Sequence, residues 1–400
     1  MKRPFDLILF GNFEASDTSG PANVSLMPLL YALAEEMKNV GKILIVTHYV
    51  SLATTPWLQP HRFWNYLRKP VCNKLMDNLW TYTPIVPFNL VLAEKTKVAM
   101  RILRNILRKS LNKVIESLEF EHSKTRVAWF SHPFHLYYQG LVGEEFIIYH
   151  CYDDFTLLGR SRSDKHIEGL EKKMAQKSNL ILATSKTLYE RLTSYNSHTY
   201  FFSNAVDFEL FQKVVKPDYK IAPEIKEISK PIIGFMGNIS DWYDYNLLQE
   251  IIARSPDWSF VFVGQIERGV QKKVDELKRY PNVHLLGWKN YYLLPAYLKG
   301  FDVAIMPYKV NEFMHSVNPD KLYQFMAAEL PIVSTPIREV TKFKEIIELA
   351  DEPDSFCTAI KRSIGEKGSR RVKKGLEIAC TESWDSKARM AIRLIEDNYQ

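Results

Sequence analysis

The sequence has little of what marks several common protein classes. Its 400 residues include only four cysteines, which are scattered and form no Cys-x-x-Cys pair. A disulfide framework and a zinc ribbon are therefore excluded, and we expect reduced thiols in a cytoplasmic protein. The chain also lacks any run of eighteen apolar residues, so it predicts no membrane-spanning helix. The short apolar segment in MKRPFDLILFGN predicts a first strand rather than a signal peptide.

Other absences narrow the candidate functions. No Gly-x-Gly-x-x-Gly follows either predicted first strand, which counts against a dinucleotide-dependent dehydrogenase. No cluster of metal-ligand residues is evident, so we expect no metal ion at the site. The net charge of +7 is too diffuse to predict nucleic-acid binding, but it suits an anionic ligand or an anionic membrane surface.

What the chain does have is a regular alternation of short apolar strands and amphipathic helices. Segments such as FDLILFG, KILIVTH and RVAWFSH are apolar and end in glycine or polar residues, as buried parallel strands do. The alternation of strands and helices is interrupted over residues 203–231 and resumes with IIGFMG. We therefore predict an α/β fold of two Rossmann-like domains, with parallel sheets facing across a cleft. The predicted boundaries are an N-terminal domain at 1–205, a linker at 206–230, a C-terminal domain at 231–383, and a helix at about 384–400 that packs back on the first domain.

One stretch, VNPDKLYQFMAAELPIVSTP at residues 317–336, places a lysine at the start of a predicted helix. The positive charge of Lys321 is unfavourable there, because it lies at the positive end of the helix dipole. An anion such as a phosphate bound at the same end would make it favourable. An ordinary surface lysine is the alternative. The surrounding motif favours the anion-binding interpretation.

The same stretch resembles a motif of the GT-B glycosyltransferases, usually written P-x-K-x-x-E-x-x-A-x-G-x-P-V-V. Two more segments of the C-terminal half, IIGFMGNISDWYDYNLL and VHLLGWKNYYLLPAYLKGFDVAIMPY, resemble the nucleotide-sugar-binding domain of that family. In the N-terminal half, IIYHCYDDF and SNAVDFELF resemble segments of its bacterial polysaccharide branch, which includes teichuronic-acid and xanthan-type glucuronosyltransferases. These motifs occur in the expected order along the chain.

The resemblance implies a set of donor-binding residues. Lys321 would reach the diphosphate of a nucleotide sugar, to which a compact ammonium charge is suited. Backbone groups near Trp288 would read the base. The other candidates follow predicted strand ends in the same half: Gly237, Asn238, Gly287, Lys289, Tyr308, Lys309 and Glu312. For Gly237 a plain turn, and for Glu312 a solvated loop acid, remain open as alternatives.

The sequence departs from the family pattern at four positions. Gln324 stands where many members have a glutamate that accepts ribose hydroxyls, and a neutral amide can still bond hydroxyls. The second glutamate of the common retaining enzymes falls on Ser316, so the paired-glutamate signature is absent. Glu329 and Ala205 replace two glycines of the family, at positions that we do not expect to touch the sugar.

We expect the catalytic side from the N-terminal half. Asp153 and Asp154 come directly after the strand EFIIYHCY, where a carboxylate whose pKa is raised by its neighbour suits a general base. Adjacent residues of an extended segment point in opposite directions, so only one can face a ligand, and the sequence leaves open which. A helix-capping pair is the alternative. His132, with His135 in the same turn, is a further candidate for contact with donor or acceptor.

Two further features concern the acceptor and a membrane. Over residues 97–118, four cations recur at steps of four, three and four and share one helix face: Lys97, Arg101, Arg104 and Arg108. With apolar residues on its other side, such a helix can lie on an anionic membrane, and a packed helix with a solvated basic face is the alternative. Acceptor-side surfaces are predicted at Gly11, Ser19 and Gly20 and around Trp57, Phe63, Trp64 and Trp80.

The sequence thus predicts a GT-B enzyme that moves a sugar from a nucleotide-sugar donor, which we expect to be a UDP-sugar, to a saccharide or lipid-linked acceptor in surface polysaccharide biosynthesis. It would need no cofactor or metal beyond the donor and would act in the cytoplasm, at the inner face of the plasma membrane. A UDP-sugar epimerase of the same fold and a non-enzymatic sugar-nucleotide-binding scaffold remain open as alternatives. So do inverting and retaining stereochemistry.

Overall fold

The chain divides into two compact units, each with its own sheet. A computed structural model describes residues 4–11, 26–53, 72–120, 124–158 and 164–399. The first unit comprises residues 1–202 together with 388–400, and the second comprises residues 203–387. Both units are α/β with parallel sheets, as the sequence predicts.

The first unit is built on a largely parallel sheet. Its strands are β1 (Phe5–Phe10), β2 (Ile43–Val46), β3 (Val50–Ser51), β4 (Cys72–Met76), β5 (Leu79–Tyr82), β6 (Ile85–Val86), β7 (Thr125–Phe130), β8 (Phe146–Cys151), β9 (Leu180–Ala183) and β10 (Thr199–Phe201). Its helices are α1 (Met27–Glu36), α2 (Leu90–Ala93), α3 (Lys97–Ser117), a 3-10 helix (Pro133–Tyr138), α4 (Lys165–Lys177) and α5 (Lys186–Thr193). The main sheet has the order β10-β9-β8-β7-β1-β2-β5-β4, in which only β4 runs antiparallel to its neighbour, and β3 pairs with β6 separately.

Strand β1 is the centre of this sheet. It pairs in parallel with β2 on one side and β7 on the other, so that Leu7 lies beside Ile43 and Val127. All of its residues are buried, because a strand covered on both faces must be apolar along its whole length. Asp6 is buried as well but is polar, and its carboxylate accepts the backbone N–H of Lys42 at 2.7 Å. The direction of winding reverses between β1 and β7.

The second unit has an all-parallel sheet. Its strands are β11 (Ile232–Met236), β12 (Ser259–Val263), β13 (Val283–Gly287), β14 (Val303–Met306), β15 (Ile332–Ser334) and β16 (Glu348–Leu349). Its helices are α6 (Phe208–Phe211), a 3-10 helix (Gln212–Val215), α7 (Pro223–Lys226), α8 (Tyr245–Arg254), a 3-10 helix (Arg268–Val270), α9 (Gln271–Leu277), a 3-10 helix (Tyr291–Leu293), α10 (Leu294–Leu298), α11 (Glu312–His315), α12 (Asp320–Ala327), α13 (Arg338–Thr341), α14 (Pro353–Ser363), α15 (Arg370–Thr381) and the start of α16 (Trp384–Asn398). The strand order is β13-β12-β11-β14-β15-β16, so winding reverses between β11 and β14.

The structure assigns residues 206–230 to the second unit, whereas the sequence predicts a linker there. Val206, Leu210, Phe211 and Ile225 are buried in the core of that unit. The lysines and prolines that suggest a linker are interspersed with these apolar residues, and composition alone hides the few positions that pack. The second unit also extends to residue 387 rather than 383.

Helix α3 buries a face that only partly overlaps the apolar side expected from its sequence, namely Val98, Ile102, Ile106, Leu107 and Val114. Leu103, Leu107, Leu111 and Ile115 form the buried stripe, each four residues from the last. Of the apolar residues expected on the side away from the cations, Val98 is 58% exposed and Ile102 is 45% exposed. Within the described ranges, no helix is both long enough and apolar enough to cross a membrane.

Glu329 takes a backbone conformation that explains the glycine usual at its position. Its φ is 49°, in the left-handed region, directly after α12 ends. The N–H of Leu330 donates to the carbonyl of Phe325 at 3.1 Å, which closes the helix in a Schellman-type turn. A residue with a Cβ adopts this conformation at a cost of about 1 kcal/mol, which glycine avoids.

The packing of β11 generates a stability prediction. A Cβ added to Gly234 would lie 2.0 Å from Cδ2 of Phe301. We expect Gly234→Ala to lower the free energy of unfolding by about 1–3 kcal/mol, because the core must shift to admit the methyl group. Urea unfolding measures the change, with Gly269→Ala as the control, since a Cβ there meets no atom within 4 Å. Equal stability of the two variants would contradict this packing.

Candidate functional site

The loops after β11 and β14 meet where the strand order of the second unit reverses. In open parallel sheets, ligands bind outside the carboxyl ends of the strands at such a point. Gly237 and Asn238 follow β11, and Tyr308 and Lys309 lie just beyond β14. The ring of Tyr243 stacks on Tyr308 with centroids 5.5 Å apart, and its hydroxyl donates to the Asn238 carbonyl at 2.9 Å. The two loops are therefore held together.

Two glycines bring the backbone of neighbouring loops into contact here. Gly237 has a φ of 144°, and a Cβ on it would lie 2.9 Å from Cε of Lys321. A Cβ on Gly264, which follows β12, would lie 1.8 Å from the carbonyl oxygen of Gly237. Glycine is required at Gly264 because a Cβ there would overlap the backbone, and it is favoured at Gly237 because of the positive φ. The aliphatic stem of Lys321 consequently crosses the backbone of Gly237.

Lys321 lies in the first turn of α12, as the sequence predicts. Its Nζ is 2.7 Å from Oδ1 of Asp320, and the two side chains are 26% and 14% exposed. The helix follows Pro319, and no described side chain caps its first N–H groups. A lysine and a set of open backbone donors thus face the same end of the helix, where an anion is favoured.

Gln324 lies one turn further along α12 and is 4% exposed. Its Nε2 donates to Oδ2 of Asp320 at 3.5 Å, while its Oε1 is buried without a hydrogen-bond partner among the described residues. Leaving a buried acceptor unpaired costs about 1–3 kcal/mol. A ligand hydroxyl that donates to this oxygen would remove the cost. Asp320, which orients both Lys321 and Gln324, was not predicted from the sequence.

The loop after β13 has open space beside its backbone at Gly287. Gly287 has a φ of 70°, and its carbonyl accepts the N–H of Gly264 at 3.0 Å. A Cβ on Gly287 would meet no atom within 4 Å, and the next residue, Trp288, is 37% exposed. Lys289 is engaged elsewhere: its Nζ is 2.7 Å from Glu224. Lys289 thus lowers the pKa of Glu224 to about 2, chiefly through this hydrogen bond.

Lys309 and Glu312 are placed less directly at the site. Nζ of Lys309 is 2.9 Å from Oδ2 of Asp241, which Lys273 also contacts at 2.5 Å through its other oxygen. These two lysines lower the pKa of Asp241, with Lys273 the larger cause. Glu312 is exposed in the first turn of α11, which Asn311 caps. The solvated-acid alternative for Glu312 therefore remains open.

In the first unit, His132 lies at the corresponding reversal point, between β1 and β7. It caps the 3-10 helix, its Nδ1 accepting the N–H of Phe134 at 3.1 Å. Burial and, secondarily, His48 lower the pKa of His132 to about 4, so its ring is neutral near pH 7. Because Nδ1 accepts, the proton is assigned to Nε2, which can donate to a ligand. His135 is buried, and its Nδ1 accepts the N–H of Ser131 at 3.3 Å.

The two adjacent aspartates occupy different environments. Asp154 is 1% exposed, and its oxygens lie 2.6 Å from Arg191 and 2.6 Å from the hydroxyl of Thr156. Arg191 also pairs with Glu171 at 3.0 Å, so Asp154 belongs to a buried ionic network. Asp153 is half-buried and makes no ion pair with any described residue. Its pKa is raised to about 7, first by burial and then by the charge of Asp154.

The network around Arg191 was missed from the sequence. Tyr149 also belongs to it, since its hydroxyl donates to Glu171 at 3.0 Å. Arg191 and Glu171 lie on two helices, and no local spacing links either residue to Asp154. Five residues named as acceptor-side candidates lie outside the described ranges: Ser19, Gly20, Trp57, Phe63 and Trp64.

Comparisons with known proteins agree with this architecture. Residues 230–366 match the model of the family described as Glycosyl transferases group 1. The chain is 28% identical over 275 residues to TuaH of Bacillus subtilis (strain 168), a protein named as a teichuronic acid biosynthesis glycosyltransferase, over 64% of this chain and 68% of that protein.

Solved structures share the fold along almost the whole chain. Sucrose-phosphate synthase from Thermosynechococcus elongatus superposes with a TM-score of 0.72 at 12% identity, covering 99% of both chains. Anabaena HepE, solved in complex with UDP and glucose, superposes with a TM-score of 0.63 at 14% identity, covering 97% of this chain and 98% of that one. These matches define a protein of GT-B fold.

The chain is a GT-B glycosyltransferase. The family match covers the unit that carries Lys321 and Gln324, the part of the sequence on which the resemblance was chiefly based. The predicted fold class and enzyme class are therefore confirmed, and the comparisons favour a transferase over the epimerase and scaffold alternatives.

The buried network generates the second prediction. We expect Arg191→Met to lower the free energy of unfolding by about 3–5 kcal/mol, because it leaves Asp154 and Glu171 buried without their cation. Arg254→Met is the control, since Arg254 pairs with Glu250 and Asp354 at the surface, where ion pairs contribute little. Thermal unfolding of both variants measures the difference, and a control that is destabilised as much as Arg191→Met would contradict the assigned role.

Proposed function

We propose that this glycosyltransferase takes its sugar from a UDP-sugar and transfers it to a saccharide or lipid-linked acceptor in surface polysaccharide biosynthesis. The observation that carries the proposal is the pair formed by Lys321 and Gln324 on α12, at the reversal point of the second sheet. The name of TuaH supports the pathway, and the HepE complexes with UDP and UDP-glucose support the donor class.

Lys321 and the start of α12 would hold the diphosphate. The ammonium group and the open N–H groups of the helix both favour negative charge at this end. During transfer the diphosphate leaves with the bonding electrons of the glycosidic carbon–oxygen bond, so its negative charge grows. The same groups therefore stabilise the transition state more than the bound donor.

Gln324 would accept a hydrogen bond from a ribose hydroxyl. Its unpaired Oε1 is the acceptor that a glutamate oxygen supplies in many related enzymes, without the negative charge. Gly237 and Asn238 would bring backbone groups close to the donor, and Gly287 with Trp288 would border the uracil edge. Lys309 is held by Asp241, so we assign it to shaping the loop that carries Tyr308.

Asp153 would act as the general base of an inverting transfer. It would take the proton of the acceptor hydroxyl as that oxygen bonds to the anomeric carbon and the diphosphate departs. A pKa of about 7 suits this task, because about half of the groups are then carboxylates at neutral pH and the carboxylate is basic enough to bind the proton. Neutral His132 would donate a hydrogen bond from Nε2 to donor or acceptor.

We propose that transfer requires no metal ion. In this arrangement Lys321 and the helix N-terminus supply the positive charge that a divalent cation supplies to a leaving diphosphate in other enzymes. Peripheral contact of residues 97–118 with an anionic membrane also stays a prediction. The exposed Val98 and Ile102 support it, whereas Arg104, which donates to the carbonyl of Gln139 at 2.7 Å, is occupied within the first unit.

The donor assignment predicts the effect of removing the lysine. Lys321→Ala should weaken UDP binding by about 1.5–3 kcal/mol, the range for losing a charge-assisted hydrogen bond. Isothermal titration calorimetry with UDP measures this change. Lys344→Ala, which removes an exposed lysine elsewhere in the second unit, serves as the control and should bind UDP as the wild type does. Unchanged affinity in Lys321→Ala would remove this residue from the site.

The base assignment predicts different outcomes for the two aspartates. Asp153→Asn should reduce turnover about 10²–10⁴-fold while leaving UDP affinity intact, because positioned proton transfer is lost. Wild-type turnover should rise with pH through about 7, the pKa of Asp153. Asp154→Asn should instead lower stability, since Arg191 and Thr156 lose a charged partner. Full activity of Asp153→Asn would favour a retaining mechanism, in which the departing phosphate takes the proton.

A stability measurement checks the environment of Asp153 separately. Its folded pKa of about 7 lies above the ordinary value of 3.8, so folding takes up a proton between these values and wild-type stability falls as pH rises through the interval. Asp153→Asn lacks this ionisation. Relative to wild type, its stability should therefore increase from pH 4 to about pH 7 and then level off.

A further inference from the structure

A cavity of about 440 Å³ opens beside the N-terminal half of α3 in the first unit, and no residue assigned above to the donor lines it. Four cations line it, namely Lys97, Arg101, Arg104 and Arg108. Glu94 is the acidic residue of the lining, and Met100 and Tyr137 add apolar surface. The cavity is thus strongly positive and of a size that suits a small ligand.

The positive charge of the cavity is not neutralised from within. Lys97, Arg101 and Arg108 form no ion pair with any residue in the described part of the chain. Glu94 is turned to other partners: it lies 3.4 Å from His166, and its hydrogen bond with Tyr137 adds to burial in raising the pKa of that tyrosine to about 12. Like charges held together at this spacing repel, and an anion between them would relieve the repulsion.

Arg104 is held in place at the wall of the cavity by two hydrogen bonds. Its guanidinium donates to the carbonyls of Tyr137 and Gln139, the second at 2.7 Å, and so fastens α3 to the end of the 3-10 helix. Burial and the neighbouring charge of Arg108 lower the pKa of Arg104. Guanidinium groups match the oxygens of a phosphate in pairs, so the two arginines without an ion pair among the described residues, Arg101 and Arg108, favour a phosphate ligand over a simple halide.

The 3-10 helix connects this cavity to the candidate catalytic residues. Tyr137 lines the cavity, and His132 caps the other end of the same helix, about 10 Å away at the usual rise of a 3-10 helix. A row of rings follows the same path: His166 to Phe134 at 6.0 Å, Phe134 to His132 at 5.3 Å, and His132 to Phe155 at 4.4 Å. An anion bound beside Tyr137 would therefore lie a short distance from His132.

We propose that this cavity binds the diphosphate of a lipid-linked acceptor, so that the sugar attached to it extends along the 3-10 helix toward His132 and Asp153. The inference rests on the proposed function. The positive charge of the cavity favours a diphosphate as the ligand. The exposed apolar side chains of Val98 and Ile102, at neighbouring positions of α3, favour an acceptor with a lipid tail over a purely polar one. The cations of α3 then serve substrate recognition rather than a general attraction to membranes.

Sequential calorimetry separates this inference from the donor assignment. UDP is titrated first, which tests the proposed function, and is then kept saturating while inorganic pyrophosphate or farnesyl diphosphate is added. The test protein is Arg101→Gln/Arg108→Gln. Its matched control is Lys373→Gln/Lys374→Gln, which removes two exposed cations from α15 in the second unit. Both variants lose the same charge.

We expect all three proteins to bind UDP equally. Wild type and control should bind farnesyl diphosphate more tightly than pyrophosphate, and the cavity variant should bind both at least about tenfold more weakly, as expected for the loss of charge-assisted contacts. Equal affinity in the cavity variant and the control would overturn the proposal. Equal affinity of wild type for the two probes would mark a free-phosphate site and would also overturn it.

Vesicles of phosphatidylglycerol and phosphatidylcholine distinguish a membrane-binding face. If the cavity variant no longer sediments with them but still binds farnesyl diphosphate like the control, α3 recognises the lipid surface and the proposal fails. If UDP gives no heat while farnesyl diphosphate binds as expected, the cavity stands as a diphosphate site and the donor assignment fails instead.

Discussion

The contact between two backbone turns, Gly264 against the carbonyl of Gly237, is the constraint on which the candidate donor site depends. It brings the carboxyl ends of β11 and β12 together more closely than any side chain would permit. The stem of Lys321 passes close to Gly237, where a Cβ would crowd it, and its ammonium group lies beside Asp320 in the first turn of α12. The packing around the ammonium group of Lys321 thus depends on the absence of a Cβ at Gly237 and Gly264.

The two aspartates after β8 show how one environment can give neighbouring residues opposite roles. Asp154 is held by Arg191 and Thr156 in a buried network, and it fixes the loop. Its charge, together with burial, is also what raises the pKa of Asp153. A carboxylate held in a buried network therefore raises the pKa of the one next to it. No described helix begins at Asp154, which instead accepts the N–H of Thr156 in the turn after β8, and the base role stays a proposal for Asp153.

Much of the fold could be predicted because buried parallel strands appear in the sequence as nearly continuous apolar runs, as in β1 and β11. Lys321 and Gln324 could be predicted because they lie in one local motif. What could not be predicted depends on partners distant in sequence. Arg191 reaches Asp154 across 37 positions, and Lys289 is drawn to Glu224 across 65.

Amino-acid composition was a poor guide to the boundary between the two units, because it averages over positions. The segment 206–230 is rich in lysine and proline, but a few apolar residues suffice to pack it into the second unit. On α3 the apolar residues fit more than one stripe, and only the packed core decides that Leu103 is buried while Val98 is exposed. Periodicity shows that a helix has faces, but the neighbouring elements determine which face is covered.

The ion pair between Lys321 and Asp320 has a consequence for how an anion enters. Before a ligand arrives, the lysine already has a counter-ion, so the pair presents a dipole rather than a net charge. Binding is then an exchange of partners, in which a phosphate must displace a carboxylate that stays within the same turn. Monovalent anions such as chloride would compete poorly in such an exchange, because they carry no more charge than the carboxylate they would replace, whereas a diphosphate carries more. If Lys321 binds the donor as proposed, the neighbouring carboxylate of Asp320 would thus select against the salt of the surrounding solution.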